Sequence, residues 1–267
     1  MTLSACAQTA GQPGAAAPPV PVAPPAASPA VPATPTVPVR ARCPAATPAP
    51  GATPAPGATP APAPVEQEPA SLRLGDSGPY VIALQNRLTE LGFWLGDADG
   101  NYGQLTRQAV MAFQKAEGLT RDGIAGPQTR QHLPTAVRPT AQDGTGDRLE
   151  VDLERQLLLV VQGGQVQWAF NTSTGSGEAY DRPSGGTGVA RTPRGEFEVL
   201  RQINGLRRAE LGDLYRPKYF RGGIAVHGSG SIPAQPASHG CVRLTNAAMD
   251  LLWSSGVAEI GTPVHVY

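Results

Sequence analysis

Apolar positions change their spacing along the chain, and each change marks a different kind of structure. Val81, Leu84, Leu88 and Leu91 recur at three- and four-residue intervals, which places them on one face of a helix, and Gly92 ends it. Ala109, Val110 and Phe113 share a face of a second helix starting near Thr106, and a short third helix is predicted from about Pro127 to Leu133. From Leu149 the pattern turns to strands. Val151 to Val161 is apolar and β-prone, Gly163-Gly164 reads as a hairpin turn, and Val166 to Phe170 reads as the returning strand. Thr192-Pro193-Arg194-Gly195 predicts a turn ahead of a strand from Glu196 to Leu200. Ile224-Ala225-Val226 predicts a short buried strand that ends at His227. A helix follows over Asn246 to Ser255, with Ala247, Ala248, Leu251 and Leu252 as its apolar face, and Val264 to Tyr267 forms a last strand. The chain therefore reads as multi-domain, with a small all-α three-helix module at 69–134, a polar connector at 135–146 and a mostly-β domain at 147–267.

Ahead of residue 69 there is no periodicity. Of the 29 prolines, 19 fall within residues 1–70, and this Pro/Ala-rich segment is expected to be disordered. Thr47 to Ala52 repeats as Thr53 to Ala58 and nearly again from Thr59 to Pro64, a composition that favours extended polyproline II and buries nothing. At ~3.1 Å per residue such a linker reaches up to roughly 190 Å, which suits a tether. Lys plus Arg and Asp plus Glu each number 21, so no electrostatic footprint for nucleic acid is present. No run of about 18 apolar residues is available to span a membrane.

Leu3-Ser4-Ala5-Cys6 matches the end of a bacterial lipoprotein signal, although only five residues precede Cys6. The expectation is a truncated signal with Cys6 as a lipidation candidate. The three cysteines, Cys6, Cys43 and Cys241, are too scattered for a disulfide framework, and a Cys6–Cys43 bridge has no segment to fix its geometry.

The helical module contains an internal repeat. Asp99-Gly100-Asn101-Tyr102-Gly103-Gln104-Leu105-Thr106 and Asp122-Gly123-Ile124-Ala125-Gly126-Pro127-Gln128-Thr129 both read D-G-x-x-G-x-x-T, a turn feeding a helix. Together with Leu74-Gly75-Asp76, Val81-x-x-Leu84-Gln85 and Ala109-Val110-x-x-Phe113-Gln114, this resembles the peptidoglycan-binding domain of wall hydrolases across residues 71–133. The resemblance implies binding to glycan or stem peptides. For the individual Asp, Gly and Thr residues, turn-building and capping is the competing role.

The chemistry concentrates in His227-Gly228-Ser229 and Ser238-His239-Gly240-Cys241-Val242-Arg243-Leu244. A thiol reacts as thiolate, and a neighbouring imidazole supplies that state by taking its proton. The glycines allow close backbone approach, and the N–H groups of Gly240 and Cys241 are candidate oxyanion donors. Competing readings are a zinc site of His227, His239 and Cys241, which lacks a fourth ligand, and a buried structural cysteine. A papain-like arrangement would place the histidine far downstream of the cysteine, which is not the order here.

Ser-His-Gly-Cys-Val-Arg preceded by Val-His-Gly-Ser resembles the signature of the L,D-transpeptidase catalytic domain. Thr192 to Phe197 resembles that family's T-P-x-G-x-F turn, and Leu157 to Gly177 its opening hairpin. The resemblance covers about residues 147–267 and implies a β-sandwich-like fold without a cofactor. It implies Cys241 as nucleophile on the bond between diaminopimelate and D-alanine of a stem tetrapeptide, with His227 as base. His239, Gly240 and Ser238 would complete the catalytic set, and Arg243, Ser229 and Tyr219 would meet the substrate. It also implies acylation by carbapenem β-lactams. Two features depart from the pattern: some family members have a longer spacer between the positions of His227 and Ser238, and Val-Arg stands in place of Val-Asn, a variant common in one branch. Water or a protein amine as acceptor, giving a carboxypeptidase or a protein-to-peptidoglycan transferase, and a non-catalytic wall-binding protein are the alternative functions. An exported protein of the periplasm or wall is expected.

Overall fold

A computed structural model describes residues 68–142 and 144–267. The linker repeats, Cys6 and Cys43 lie outside the described residues. The three expected helices are α1 (Pro79–Glu90), α2 (Gln104–Ala116) and α3 (Pro127–His132). Strands follow: β1 (Arg148–Asp152), β2 (Leu157–Gln162), β3 (Gln165–Asn171), β4 (Ala179–Asp181), β5 (Thr187–Val189), β6 (Gly195–Glu198), β7 (Arg201–Gln202) and β8 (Leu206–Arg207). The chain closes with β9 (Leu214–Arg221), β10 (Ile224–Gly228), β11 (Val242–Leu244), α4 (Asn246–Ser254) and β12 (Pro263–Val266).

The repeat in the module resolves into one recurring hydrogen-bond knot. Gln85, buried on α1, donates to Asp99 Oδ1, the Asn101 carbonyl and Thr106 Oγ1, and accepts the Gly100 N–H. Gln114 on α2 does the same with Asp122, Ile124, Thr129 and Gly123. The threonines sit inside the first turn of each helix and serve the glutamine, while Gly103 and Gly126 take the N-cap positions. A buried amide is costly unless all its partners are present, so the spacing of the repeat follows from the satisfaction of one side chain.

Two larger sheets and a two-stranded β4-β5 hairpin make the second domain. One runs β3-β2-β1-β12-β6 and the other β11-β10-β9-β7, with β8 added to β9. Leu149, Val151, Leu158, Val160, Phe220, Val226, Val242, Leu244 and Val264 fill the space between them, with Ala248, Met249 and Leu252 of α4. The apolar run Val151 to Val161 is two strands and not one. Asp152 Oδ1 accepts the N–H groups of Glu154 and Arg155 at 3.0 and 2.8 Å, and Gln156 takes a positive φ of 60°, so the chain reverses there. The strand expected to reach Leu200 stops at Glu198. β9 was not evident from pattern because Arg216-Pro217-Lys218 interrupts it. Lys218 is buried there, with its ammonium on Gln202 and Glu259.

The module and the β domain share a core. Along β2, Leu158 and Val160 face the inter-sheet space, while Leu157, Leu159 and Val161 join the helices together with Val166 and Ala169 of β3. A strand covered on both faces reads as a continuous apolar run, which is what Leu157 to Val161 is. Trp94 packs on Phe170 with ring centroids 5.7 Å apart. Arg138, in the connector, donates to the Glu90 carbonyl on one side and the Val166 carbonyl on the other. Lys115 of α2 is buried and donates to the carbonyls of Gln156 and Thr172 at 3.0 and 2.9 Å.

Candidate active site

β10 and β11 run parallel, with Val226 opposite Val242 and His227 opposite Arg243. Val226, Val242 and Leu244 point into the core, so alternation turns His227, Cys241 and Arg243 to the other face. There they line a cavity of about 580 Å³ together with Ser229, Ser238 and His239.

His227 is 5% exposed, and its Nδ1 lies 2.9 Å from the Gly228 carbonyl oxygen. A carbonyl only accepts, so Nδ1 carries the proton and Nε2 presents a free lone pair. Burial pulls the imidazole pKa down to about 4; the Gly228 hydrogen bond opposes this, and the Arg243 charge adds to it. Burial also raises the Cys241 thiol, against smaller lowering effects from the Ala225 backbone and Arg243. The Cys241 thiol lies 3.8 Å from the Gly223 carbonyl oxygen, its acceptor.

The loop carrying Cys241 is held by hydrogen bonds to the segment after β3. Ser238 and Ala237 donate their N–H groups to the Thr174 carbonyl, Arg243 donates to Ser173, and Thr172 Oγ1 donates to the Arg243 carbonyl. Thr174 is in turn gripped by the Gln156 side chain, which gives one bond and takes another. Thr192, the first residue of the T-P-x-G turn, donates to the Gly240 carbonyl at 2.7 Å and accepts the Gly175 N–H. Gly240 has φ +133°, and a Cβ there would meet the Arg191 carbonyl oxygen at 2.8 Å, so only glycine suits the position.

The expected residues divide by role. Ser238 is buried; its Oγ donates to the Cys241 carbonyl and accepts the Gly240 N–H, which makes it a latch for the loop. That bond also corrects the oxyanion assignment, because the Gly240 N–H is already taken. His239 is exposed and stands edge-on to Tyr180 of β4 at 4.9 Å between ring centroids. Ser229 is half-buried at the rim of the cavity and exchanges hydrogen bonds with Ser231. Tyr219, expected at the substrate, is buried beside Leu214 and Ala225 under the Arg201 guanidinium, 3.5 Å from its ring centroid, and does not line the cavity. Its place on β9 puts it on the same face as Ala225 and Cys241, which packs against this cluster, but beneath the cavity and not in its wall. Among the described residues no three His, Cys, Asp or Glu side chains converge as a ligand set, so the zinc geometry is not formed. His132 and His265 lie elsewhere, beside Glu117 and Glu196. Tyr180 escaped the sequence reading; a lone aromatic in a polar, Gly-rich stretch was its only signal.

Residues 77–133 match the model of a putative peptidoglycan binding domain, and residues 146–266 that of the L,D-transpeptidase catalytic domain. A solved L,D-transpeptidase structure from Xylanimonas cellulosilytica is 52% identical, over 75% of this chain and 99% of that one, with a TM-score of 0.72. Shorter similarities reach a spore cortex-lytic enzyme of Bacillus cereus, 43% identical over 28% of this chain, and an N-acetylmuramoyl-L-alanine amidase of Mycobacterium tuberculosis, 46% identical over 21% of it. The chain spans only 30% and 14% of the length of those two curated relatives.

Proposed function

The chain belongs to the L,D-transpeptidase family, and on that premise we propose that it cross-links peptidoglycan outside the cytoplasm through a thioester on Cys241. The observation that carries this reading is that Cys241, immediately before β11, and His227, on the adjacent β10, line one cavity, with the imidazole held in the tautomer of a base. The Cys241 sulfur attacks the carbonyl between diaminopimelate and D-alanine of a stem tetrapeptide, and its proton passes to His227 Nε2. The tetrahedral species collapses as the C–N bond breaks, and D-alanine leaves with the proton returned by His227. An amine of a second stem then attacks the thioester, loses its proton to His227 and releases the thiolate, which is reprotonated. The Cys241 N–H remains as a candidate oxyanion donor.

Arg243 supplies positive charge to the cavity and pairs with a substrate carboxylate. Tyr180 and His239 form an aromatic wall on the exposed side. Residues 77–133 hold the enzyme on the wall. The Cys6 motif and the Pro/Ala-rich segment favour a lipid-anchored tether.

The test is intact-protein mass spectrometry after mixing with a carbapenem, wild type beside Cys241→Ala. An adduct on the wild type alone is expected. No adduct on freshly reduced wild type would remove the reaction and leave a wall-binding protein. Incubation with disaccharide-tetrapeptide then separates acceptors: dimers report transpeptidation, and tripeptide alone reports water.

A further inference from the structure

A second groove, of about 640 Å³, opens where the module meets the β domain. Its walls come from both. Arg107, Gln108 and Arg121 belong to the module, and Ser229 to Gln235 belong to the loop between β10 and the nucleophile. Ser229 lines this groove and also the catalytic cavity, so the two spaces meet at that residue.

The groove is built, and it is charged. Gln108 donates to the Ile232 carbonyl and accepts from Asn171 Nδ2, which itself donates to Ile232, so the two walls are tied at the floor. Arg107 lies across Gly123, where a Cβ would meet its Cγ at 2.8 Å; the Asp-Gly glycine in the second copy of the repeat therefore leaves room for this side chain. Among the described residues neither Arg107 nor Arg121 forms an ion pair with a carboxylate. Asp122 also lines the groove and keeps its charge, with Oδ1 held by Gln114 and the Ile124 N–H, so the two arginines leave the lining net positive by one. Two uncommitted guanidiniums in a trough call for an anionic, extended ligand.

We propose that this groove binds a peptidoglycan stem peptide through its free carboxylates and leads that strand past Ser229 to Cys241. The proposal rests on the wall-polymer reading above and adds to it a binding site shared by the module and the catalytic domain. Neutral glycan, which carries nothing for the arginines to grip, is the competing occupant.

The test measures the affinity of a soluble disaccharide-tetrapeptide for the full chain by calorimetry, in an unreactive Cys241→Ala background. Arg107→Glu with Arg121→Glu is expected to weaken binding about tenfold, as reversed charge does at a complementary surface. Amidating the peptide carboxylates is expected to weaken binding to the parent chain by at least a similar factor and to cost the double variant less, since only the Arg243 contact is then left to lose. Arg107→Lys with Arg121→Lys should retain most of the affinity, which separates lost charge from lost structure. An unchanged dissociation constant in the Glu pair, or equal affinity for the amidated ligand, overturns the proposal. Carbapenem acylation of the Glu pair with Cys241 restored should match wild type. If wild type itself forms no adduct, the reaction falls, while the calorimetry still decides the groove.

Discussion

His227 and Cys241 meet as neutral partners near pH 7, because burial disfavours the charged form of each. Proton transfer then accompanies attack on the carbonyl, and no ion pair stands ready beforehand. The base is lost only when Nε2 is protonated, so the rate of carbapenem acylation should hold as pH falls and decline around about pH 4. A midpoint near 6.5 in stopped-flow measurements would mean that the imidazole is not held neutral. His227→Gln should slow acylation by about 10²–10⁴-fold, the usual worth of a positioned base. Gly240 acts through backbone alone. Gly240→Ala forces a left-side φ on alanine and drives its Cβ at the Arg191 carbonyl, at a cost of about 1–3 kcal/mol. Acylation should fall with it, since the same loop carries Cys241; a fully active Gly240→Ala protein would contradict this geometry.

At the scale of elements, α2 braces the site from behind. Lys115 holds the carbonyls of Gln156 and Thr172; Thr172 holds the Cys241 loop directly and Gln156 holds it through Thr174. Desolvation lowers the Lys115 ammonium from 10.5 to about 7. Between those values the unfolded chain binds the proton that the fold rejects, so this group makes stability rise with pH across that window, by at most about 1.4 kcal/mol per unit. Melting curves at pH 7 and 9.5 should show this rise in wild type, and Lys115→Met should flatten it. None of this was evident from spacing. The sequence reveals helices by their apolar faces, and the nucleophile by neighbours close in the chain. Long-range ties leave no such trace: Thr172 to Ser176 reads as a polar loop until Ser238 is placed beside it. The reversal at Asp152 has a polar signal in Glu154-Arg155-Gln156, but Leu153 inside it lets the stretch from Val151 to Val161 pass for one apolar run, and β9 is obscured because a proline interrupts it.

For the molecule as a whole, the doubly covered β2 decides how the parts behave. The matches to two family models suggest two separable domains, but Leu157, Leu159 and Val161 belong to the core of the helices. Residues 68–267 are expected to unfold in a single calorimetric transition, and Leu159→Ala should lower its stability by about 2–5 kcal/mol. Two resolved transitions would show that the shared core does not couple the halves. Residues 147–267 produced alone would present that apolar face of β2 and β3 to water, and should aggregate or bind a hydrophobic dye.

That shared strand also fixes a length. Arg107 and Cys241 ride on one packed body, so a strand seated against the first meets the second at a set offset. The distance between the gripped stem and the bond that reacts then belongs to the protein, as a jig holds stop and blade apart. Cross-links made by this body would be laid at that stride along the polymer.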